Sequence, residues 1–194
     1  MLDPQEFSGD DVPEADDPDS RVGGPADGED PEAVARGICL RLLTSAPRTR
    51  AQLAQALGQR GVDDDVAESV LGRFSEVGLI DDAAFAGAWV DSRHMGRGLG
   101  RKALAAELRR RGVAEDTVRD AVDELDADDE EEMARRLARR KLGASRGQDS
   151  AARARRALGM LARKGYSAGL AYRVVREELE SEGAEVDLPD PELE

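Results

Sequence analysis

The sequence predicts an all-α protein built from tandem three-helix modules between acidic, disordered ends. Strong helix formers dominate the 194 residues, whereas aromatic residues make up only 3%, which disfavours a β-sheet. A pattern of paired short helices recurs three times along the chain. The formal net charge of −14 arises from the two ends, so it conceals a mildly basic body.

The charge distribution separates the ends from the body. Residues 1–31 hold eleven acidic residues and one basic residue, and residues 180–194 hold seven acidic residues and no basic one. The residues between them, 32–179, hold 27 basic and 24 acidic residues. Acidic segments with few apolar residues cannot bury enough surface to offset their ordering entropy, so we predict disorder over 1–31 and 183–194. These segments either keep the chain soluble or compete intramolecularly with anions for the basic body.

The repeat that defines the modules is centred on a glycine. The three aligned glycines, spaced by 51 and 53 residues, are Gly61, Gly112 and Gly165. A leucine lies four positions before each glycine, a basic residue directly before it and an apolar residue directly after it. Glycine at this position is typical of a helix that ends in a left-handed turn, and the basic residue complements the helix dipole. Each segment therefore predicts a helix, a turn and a second amphipathic helix.

A further helical stretch precedes each helix pair, so one unit contains three helices in about 50 residues. We predict three-helix modules over residues 32–80, 81–126 and 127–182. In the middle module, Asp81 is expected to cap the first helix. In the last module, the acidic run DADDEEE (126–132) lacks the spacing of a calcium-binding loop, so we expect it to supply negative charge to a helix N-terminus.

The second helix of the middle and last modules is predicted to have a basic face. In the middle module, helical periodicity places Leu104 and Leu108 on one face and cations on the other. In the last module, residues 135–164 contain eleven basic residues and one acidic residue. Like-charged faces on consecutive modules predict a surface for a polyanion or a strongly acidic protein groove. The low aromatic content disfavours recognition by base stacking.

Residues typical of catalysis or metal binding are scarce. The single histidine, His94, has no evident triad or ligand partner, and we expect it to be a partly exposed polar residue. The single cysteine, Cys39, is expected to be buried as a small hydrophobic side chain. We interpret GRGLG (96–100) as a flexible link that lets arginines approach a partner, because no GK[ST] completes a phosphate loop. The sequence thus predicts a protein that is not an enzyme and needs no cofactor.

Composition and hydropathy predict a cytoplasmic protein. The first residues are acidic and lack the apolar region of a signal peptide. No apolar run approaches the roughly 20 residues that cross a bilayer, so no membrane contact is expected. One lone cysteine fits a reducing compartment.

Residues 78–113, GLIDDAAFAGAWVDSRHMGRGLGRKALAAELRRRGV, resemble the RecX family of bacterial recombination regulators. The resemblance lies in L-I-D-D, a spaced Phe and Trp, S-R, a Gly/Arg-rich link and a basic helix ending in R-R-R-G. It extends over roughly residues 32–182 and includes the ARKGYS turn of the last module. The resemblance implies an elongated, curved array of three-helix modules. It also implies a monomer that binds in the groove of the RecA–DNA filament and typically suppresses ATP hydrolysis and strand exchange.

Under this hypothesis the protein modulates RecA in DNA repair and the SOS response through cations that contact acidic RecA surface or filament DNA. These residues are Arg93, Arg97, Arg101, Lys102, Arg109, Arg110, Arg111, Arg156 and Arg163. One alternative is a RecA-independent helical DNA-binding protein, since short helix pairs are similar to helix-turn-helix units. Another alternative is a helical adaptor whose partner is unrelated to DNA and which docks through apolar faces.

Overall fold

A computed structural model describes residues 30–145 and 147–183, and within these ranges the chain forms nine α-helices and no strand. The helices are α1 (Pro31–Ser45), α2 (Arg50–Gln59), α3 (Asp64–Glu76), α4 (Asp82–Arg97), α5 (Arg101–Arg110), α6 (Glu115–Asp123), α7 (Ala127–Gly143), α8 (Ser150–Arg163) and α9 (Ala168–Ser181). The predicted all-α fold of three-helix modules is confirmed. The two predicted disordered segments lie outside the described residues except for their innermost positions, where Asp30 caps α1 through the backbone N–H of Glu32.

Each module packs its three helices around a hydrophobic core of its own. The first core is formed by α1–α3, the second by α4–α6 and the third by α7–α9. The leucine that the repeat places four residues before the turn glycine is fully buried in all three cores. These leucines are Leu57, Leu108 and Leu161. Cys39 is likewise fully buried, as expected, and burial raises the pKa of its thiol.

The turn after each second helix has the predicted left-handed glycine. The φ angles of Gly61, Gly112 and Gly165 are 74°, 76° and 87°. In each turn, the N–H of the apolar residue after the glycine donates to the carbonyl of the buried leucine, at 3.2, 3.3 and 3.1 Å. This is the Schellman arrangement, which satisfies the last carbonyls of the helix and anchors the next helix to the core.

The second helices of the modules lie head to tail, and this arrangement joins the third module to the second. The N–H of Gly100 donates to the carbonyl of Lys164 at 2.8 Å, and the N–H of Lys102 donates to that of Gly165 at 3.1 Å. The N–H of Arg101 donates to the Glu130 carboxylate at 3.0 Å. Helix N-termini have unpaired N–H groups and C-termini have unpaired carbonyls, so each end satisfies the other and the dipoles align.

The first and second modules are joined by the same arrangement. Thr49, which is fully buried, donates from its hydroxyl to the carbonyl of Arg111 at 2.7 Å. The N–H of Arg50 donates to the Asp82 carboxylate at 2.9 Å. In both junctions, an acidic residue from the first helix of one module therefore caps the second helix of the preceding module. Separate cores joined in this way make the molecule an elongated array.

Two turn glycines lie at positions of close approach between modules. A Cβ atom on Gly165 would lie 2.2 Å from the backbone nitrogen of Ala103, and one on Gly112 would lie 2.3 Å from the Cβ of Ala51. A Cβ on Gly61 would meet no atom within 4 Å, although its backbone conformation is the same. Gly165 and Gly112 are thus required both by the turn and by the junction, whereas Gly61 serves only the turn.

The interpretation of GRGLG as a flexible link is wrong, because this segment is a docking element. Gly98 and Gly100 are buried, and the carbonyl of Gly98 accepts a hydrogen bond from the Tyr166 hydroxyl at 3.0 Å. A Cβ on Gly100 would lie 3.0 Å from the backbone carbonyl carbon of Gly165. The glycines therefore allow the backbones of two modules to approach, and the link is fixed by the third module.

The expectation that His94 is partly exposed is also wrong. Its side chain is only 4% exposed, and Nδ1 lies 2.9 Å from the carbonyl oxygen of Leu99. Because a carbonyl only accepts, Nδ1 carries the proton in this contact. His94 thereby ties the last turn of α4 to the link that docks on the third module.

Glu131 on α7 ties α7 to α9 and makes stability depend on pH. Its carboxylate accepts from Arg135 at 2.7 Å and also from Arg173 on α9, and these hydrogen bonds hold its pKa below the usual range. A lowered folded-state pKa adds stability above the unfolded-state value, and this contribution is lost as the pH falls through the folded-state pKa. We expect Glu131→Gln to be less stable than the unsubstituted chain at pH 7.

That difference should shrink as the pH falls through the lowered pKa of Glu131, where the native carboxyl also becomes neutral. Urea unfolding at a series of pH values measures the difference. The exposed neighbour Glu132→Gln is the matched control. A difference for Glu131→Gln that stays constant from pH 7 to pH 3 contradicts the role of this ion pair.

Candidate functional site

Two of the nine candidate cations are held against the only tryptophan of the chain. The guanidinium carbons of Arg93 and Arg111 lie 4.1 and 3.6 Å from the centroid of the Trp89 ring. The indole N–H donates to Glu107 at 2.9 Å, and the same carboxylate lies 3.6 Å from Arg93 and 3.9 Å from Arg97. Stacking and ion pairing therefore engage these three arginines within the second module.

We expect Glu107→Gln to lower the free energy of unfolding by about 1–2 kcal/mol, because charged hydrogen bonds and ion pairs to a largely buried carboxylate are lost. Only 13% of the Glu107 side chain is exposed, so solvent replaces the lost carboxylate poorly. Urea unfolding monitored by Trp89 fluorescence measures the change within the same module. The exposed Glu124→Gln serves as the control, and equal losses for the two variants contradict this assignment.

Two further candidates have carboxylate partners. Arg101 pairs with the Glu130 carboxylate at 3.0 Å across the junction between the second and third modules. Arg109 donates two hydrogen bonds to Glu115, at 2.7 and 2.5 Å, which raise the pKa of the guanidinium and lower the pKa of the carboxyl. Both arginines are thus neutralised locally, and Arg101 also stabilises the array.

The remaining four candidates are exposed, and within the described ranges no carboxylate lies within ion-pair distance of them. They are Lys102, Arg110, Arg156 and Arg163. Arg156 donates to the neutral side chain of Gln148. Uncompensated charge is the property that an anionic partner can use, because a paired arginine must first lose its carboxylate.

Four uncompensated cations of the third module line a groove on the outer face of α8. We define the cationic groove by Lys141 at the end of α7 and by Arg155, Arg156 and Arg163 on α8. The groove encloses about 480 Å³, and its other lining residues, Ala152 and Gly159, are small. Small residues between cations leave room for a ligand backbone. All six lining residues are neutral or positively charged.

The sequence pattern missed Lys141 and Arg155. Both lie in the basic run 135–164, which is the signal that pointed to this region. Arg155 does not lie opposite the α8 leucines, so helical periodicity alone does not place it on the basic face. Lys141 belongs to a different helix, so its place in the groove depends on how α7 packs against α8, and one sequence does not reveal that packing.

The positive surface continues from the third module onto the second. Gly159 in the cationic groove also lines a neighbouring cavity of about 440 Å³, which Lys102 of α5 and Tyr166 also line. On another part of this junction, the pKa of Lys164 is lowered by burial and by the nearby charges of Arg140 and Arg97. Cations from two modules thus lie close together, fixed by the head-to-tail junction.

Five arginines of the third module are neutralised by the carboxylates of α7, α9 and the residues that follow α9. Their pairs are Arg135 with Glu131 and Glu177, Arg139 with Glu178, Arg153 with Glu182, Arg173 with Glu131 and Arg176 with Glu180. The α9 side of the module is therefore electrically balanced, whereas the α8 side carries a surplus of positive charge. This contrast identifies the cationic groove as the candidate functional site.

The described residues form neither a membrane-spanning helix nor a metal-binding cluster. Among residues 30–145 and 147–183, no helix combines the length and apolarity needed to cross a membrane. Within the same ranges, no group of three or more His, Cys, Asp and Glu side chains is placed to hold a metal ion.

The fold and the groove define a class of protein: an all-α array of three-helix modules with an uncompensated basic face. Three family models match the chain in order, described as the first, second and third three-helix domains of RecX, over residues 35–74, 81–122 and 128–175. Together they span most of the described chain. The protein belongs to the RecX family.

Relatives named Regulatory protein RecX match over most of their length. That of Thermobifida fusca (strain YX) is 66% identical over 178 residues, which are 92% of this chain and 96% of the relative. That of Streptomyces coelicolor is 60% identical over 158 residues, which are 81% of this chain and 84% of the relative. The crystal structure of RecX from Lactobacillus salivarius has a TM-score of 0.73 at 18% identity and covers 76% of this chain and 96% of its own.

A second crystal structure of regulatory protein RecX has a TM-score of 0.69 at 24% identity and covers 76% of this chain and 72% of its own. At these identities the two structures support the fold. The relatives support the regulatory class.

Proposed function

We propose that the protein binds along the groove of the RecA–DNA filament and restrains ATP hydrolysis and strand exchange by RecA. It acts as a cytoplasmic monomer, without enzymatic activity or a cofactor of its own, in DNA repair and the SOS response. The observation that carries the proposal is the cationic groove, whose charge no described carboxylate compensates. Membership of a family whose relatives are named regulatory proteins supports it.

The contact surface proposed from the structure differs from the sequence-based set. It keeps Lys102, Arg110, Arg156 and Arg163 and adds Lys141 and Arg155. Of the five internally engaged arginines, Arg101 helps to hold the second and third modules in register, and the other four stabilise the second module itself. A polyanion gains most from cations that have no partner to release, and small lining residues let its backbone approach.

The head-to-tail junctions give the proposed regulator its mechanical role. Backbone hydrogen bonds and close glycine contacts fix the spacing between the second and third modules. A rigid array that contacts several filament subunits at once favours one arrangement of those subunits over the others. ATP turnover that needs a change of that arrangement is then slowed, since a ligand shifts an equilibrium toward the state it binds better.

DNA-dependent ATP hydrolysis by the cognate RecA, with this protein titrated in, tests the proposal. We expect the rate to fall as the protein approaches stoichiometry with its filament sites, and to recover at higher salt, because the contacts are ionic. An unchanged rate at stoichiometric excess over filament sites would show that the protein does not regulate RecA turnover.

The cationic groove also supports a second candidate, RecA-independent DNA binding. Fluorescence anisotropy of labelled single-stranded and duplex oligonucleotides across a range of salt concentrations separates the two. Weak, sequence-independent binding fits the proposed regulator, with a slope of log affinity against log salt concentration that corresponds to a few phosphate contacts. Tight binding with a sequence preference in the absence of RecA favours the second candidate.

A further inference from the structure

We propose that the acidic C-terminal segment, residues 184–194, binds the cationic groove of its own molecule and competes there with outside polyanions. The segment would then inhibit the binding of outside polyanions until an anion of higher affinity displaces it from the groove. This contact is intramolecular, so it is independent of whether the partner in the proposed function is RecA.

The last described residues of the chain lie close to the groove. Glu182, just after α9, pairs with Arg153 of α8 at 2.5 Å. Arg153 is buried and also donates to the carbonyl of Leu142 at 3.0 Å. Ala152 directly precedes Arg153 in the chain, and Lys141 directly precedes Leu142. Ala152 and Lys141 both line the groove. The last described residues are therefore anchored to the two helices that form the groove.

The segment is long enough to reach every cation of the groove. Its eleven residues can span at most about 36–40 Å. The fourteen residues of α8 are about 21 Å long. The segment can therefore turn around the end of α8 and still pass along the face that holds Arg155, Arg156 and Arg163.

The charges of the segment match those of the groove. Five carboxylate side chains and no basic residue follow Gly183. They are Glu185, Asp187, Asp190, Glu192 and Glu194. The groove presents four cations, and the arginines nearer to α9 already have carboxylate partners. The groove is thus a described surface of the same module whose positive charge is not already balanced.

Tethering makes a weak contact effective. A segment attached a few residues away acts at an effective concentration in the millimolar range. If the isolated segment bound with a dissociation constant of about 0.1 mM, the groove would be occupied most of the time, and the affinity for an outside polyanion would fall about tenfold. The acidic residues of 1–29 join the chain at α1, two modules away, and lack this advantage.

The first experiment uses the full chain with the five carboxylates of the segment changed to amides. The change is Glu185→Gln, Asp187→Asn, Asp190→Asn, Glu192→Gln and Glu194→Gln. Binding of a fluorescent 20-nucleotide oligothymidine is measured at about 0.1 M salt. We expect about tenfold tighter binding than for the unsubstituted chain, and a difference below twofold at about 0.5 M salt, where the contact is screened.

The matched control removes five charges from the other acidic end. The change is Asp10→Asn, Asp11→Asn, Asp16→Asn, Asp17→Asn and Asp19→Asn. This control has the same net charge as the first variant, so a general charge effect raises both affinities equally. Equal affinities for the two variants would overturn the proposal, because they would show that position along the chain does not matter.

The second experiment detects the contact without any nucleic acid. A nitroxide is attached to Leu193→Cys in the otherwise native chain, where the buried Cys39, with its raised thiol pKa, is protected from labelling. We expect broadening of the side-chain NMR signals of Arg155, Arg156 and Arg163, and its loss in high salt. The same signals of Arg119 and Arg73 should stay sharp.

Groove signals that are broadened no more than those of Arg119 and Arg73 would overturn the proposal, whatever the binding data show. If the nitroxide broadens the groove signals but oligothymidine does not bind to any variant, the internal contact stands and the anionic partner is a protein surface. Failure of the proposed function and failure of this inference are therefore distinguishable.

Discussion

Replacing Gly165 with alanine is expected to lower the free energy of unfolding by about 3 kcal/mol, whereas Gly61→Ala is expected to cost only about 1 kcal/mol. Both glycines adopt a left-handed conformation, with φ of 87° and 74°, so both variants bear the strain of that backbone region. Only at Gly165 does the new Cβ also meet backbone, 2.2 Å from the nitrogen of Ala103. The third module must then move away from α5, and the hydrogen bonds of the junction are lost.

Urea unfolding measures both losses, and small-angle X-ray scattering reports whether the array extends when the junction opens. Gly112→Ala provides an independent test, because its Cβ would lie 2.3 Å from the side chain of Ala51 at the other junction. We expect Gly112→Ala to cost more than Gly61→Ala as well. Equal losses at all three glycines, with unchanged scattering, would contradict the close docking of the modules.

Reversing three charges of the cationic groove should weaken binding to the RecA–DNA filament by roughly 100-fold. The variant is Arg155→Glu, Arg156→Glu and Arg163→Glu. At about 1 kcal/mol for each lost contact, the total of about 3 kcal/mol corresponds to this factor. The three side chains project outward and make no ion pair among the described residues, so the fold should tolerate their replacement. Sedimentation or anisotropy with preformed filaments measures the affinity.

The matched control reverses one paired arginine in each module. Arg73, Arg119 and Arg176 are exposed and lie near the carboxylates of Glu32, Asp120 and Glu180. Changing all three to Glu alters the net charge by the same amount as the groove variant. We expect a loss of affinity below about fivefold, since screening leaves distant charges little effect. A loss as large as that of the groove variant would show that net charge alone determines binding.

The modules were predictable from the sequence because their determinants are local. A buried leucine, a left-handed glycine and a following apolar residue recur within one helix–turn unit, and the Schellman turn uses those three positions directly. Asp81 was likewise predictable as an N-cap, and its carboxylate accepts from the N–H of Ala84 at 2.8 Å. The same holds for Asp126, which caps α7 at the start of the predicted acidic run.

The junctions were not predictable, because they join residues far apart in the chain. Gly100 and Gly165 belong to different modules, and the need for glycine at both follows only from the close approach of their backbones. The repeat pattern treats Gly61 and Gly165 as equivalent, although only the second lies in a junction. His94 was misassigned although its partner Leu99 is only five positions away, because the link that contains Leu99 is held in place by the third module.

The sequence predicts which segment carries the basic face, but the structure changes which residues belong to it. Charge counting points to the segment that contains the groove, because an excess of arginine in residues 135–164 is visible without a structure. Counting did not show which arginines have carboxylate partners. Arg101 pairs with Glu130, 29 positions away, and such pairs across modules remove cations from the candidate site.

The central claim, that the uncompensated cationic groove carries regulation of RecA, is tested most directly by one set of titrations. DNA-dependent ATP hydrolysis by the cognate RecA is measured with the unsubstituted chain, the groove variant and the paired-arginine control. We expect the unsubstituted chain and the control to inhibit at similar concentrations, and the groove variant to need roughly 100-fold more protein. Inhibition by the groove variant at the concentration of the unsubstituted chain would contradict the claim.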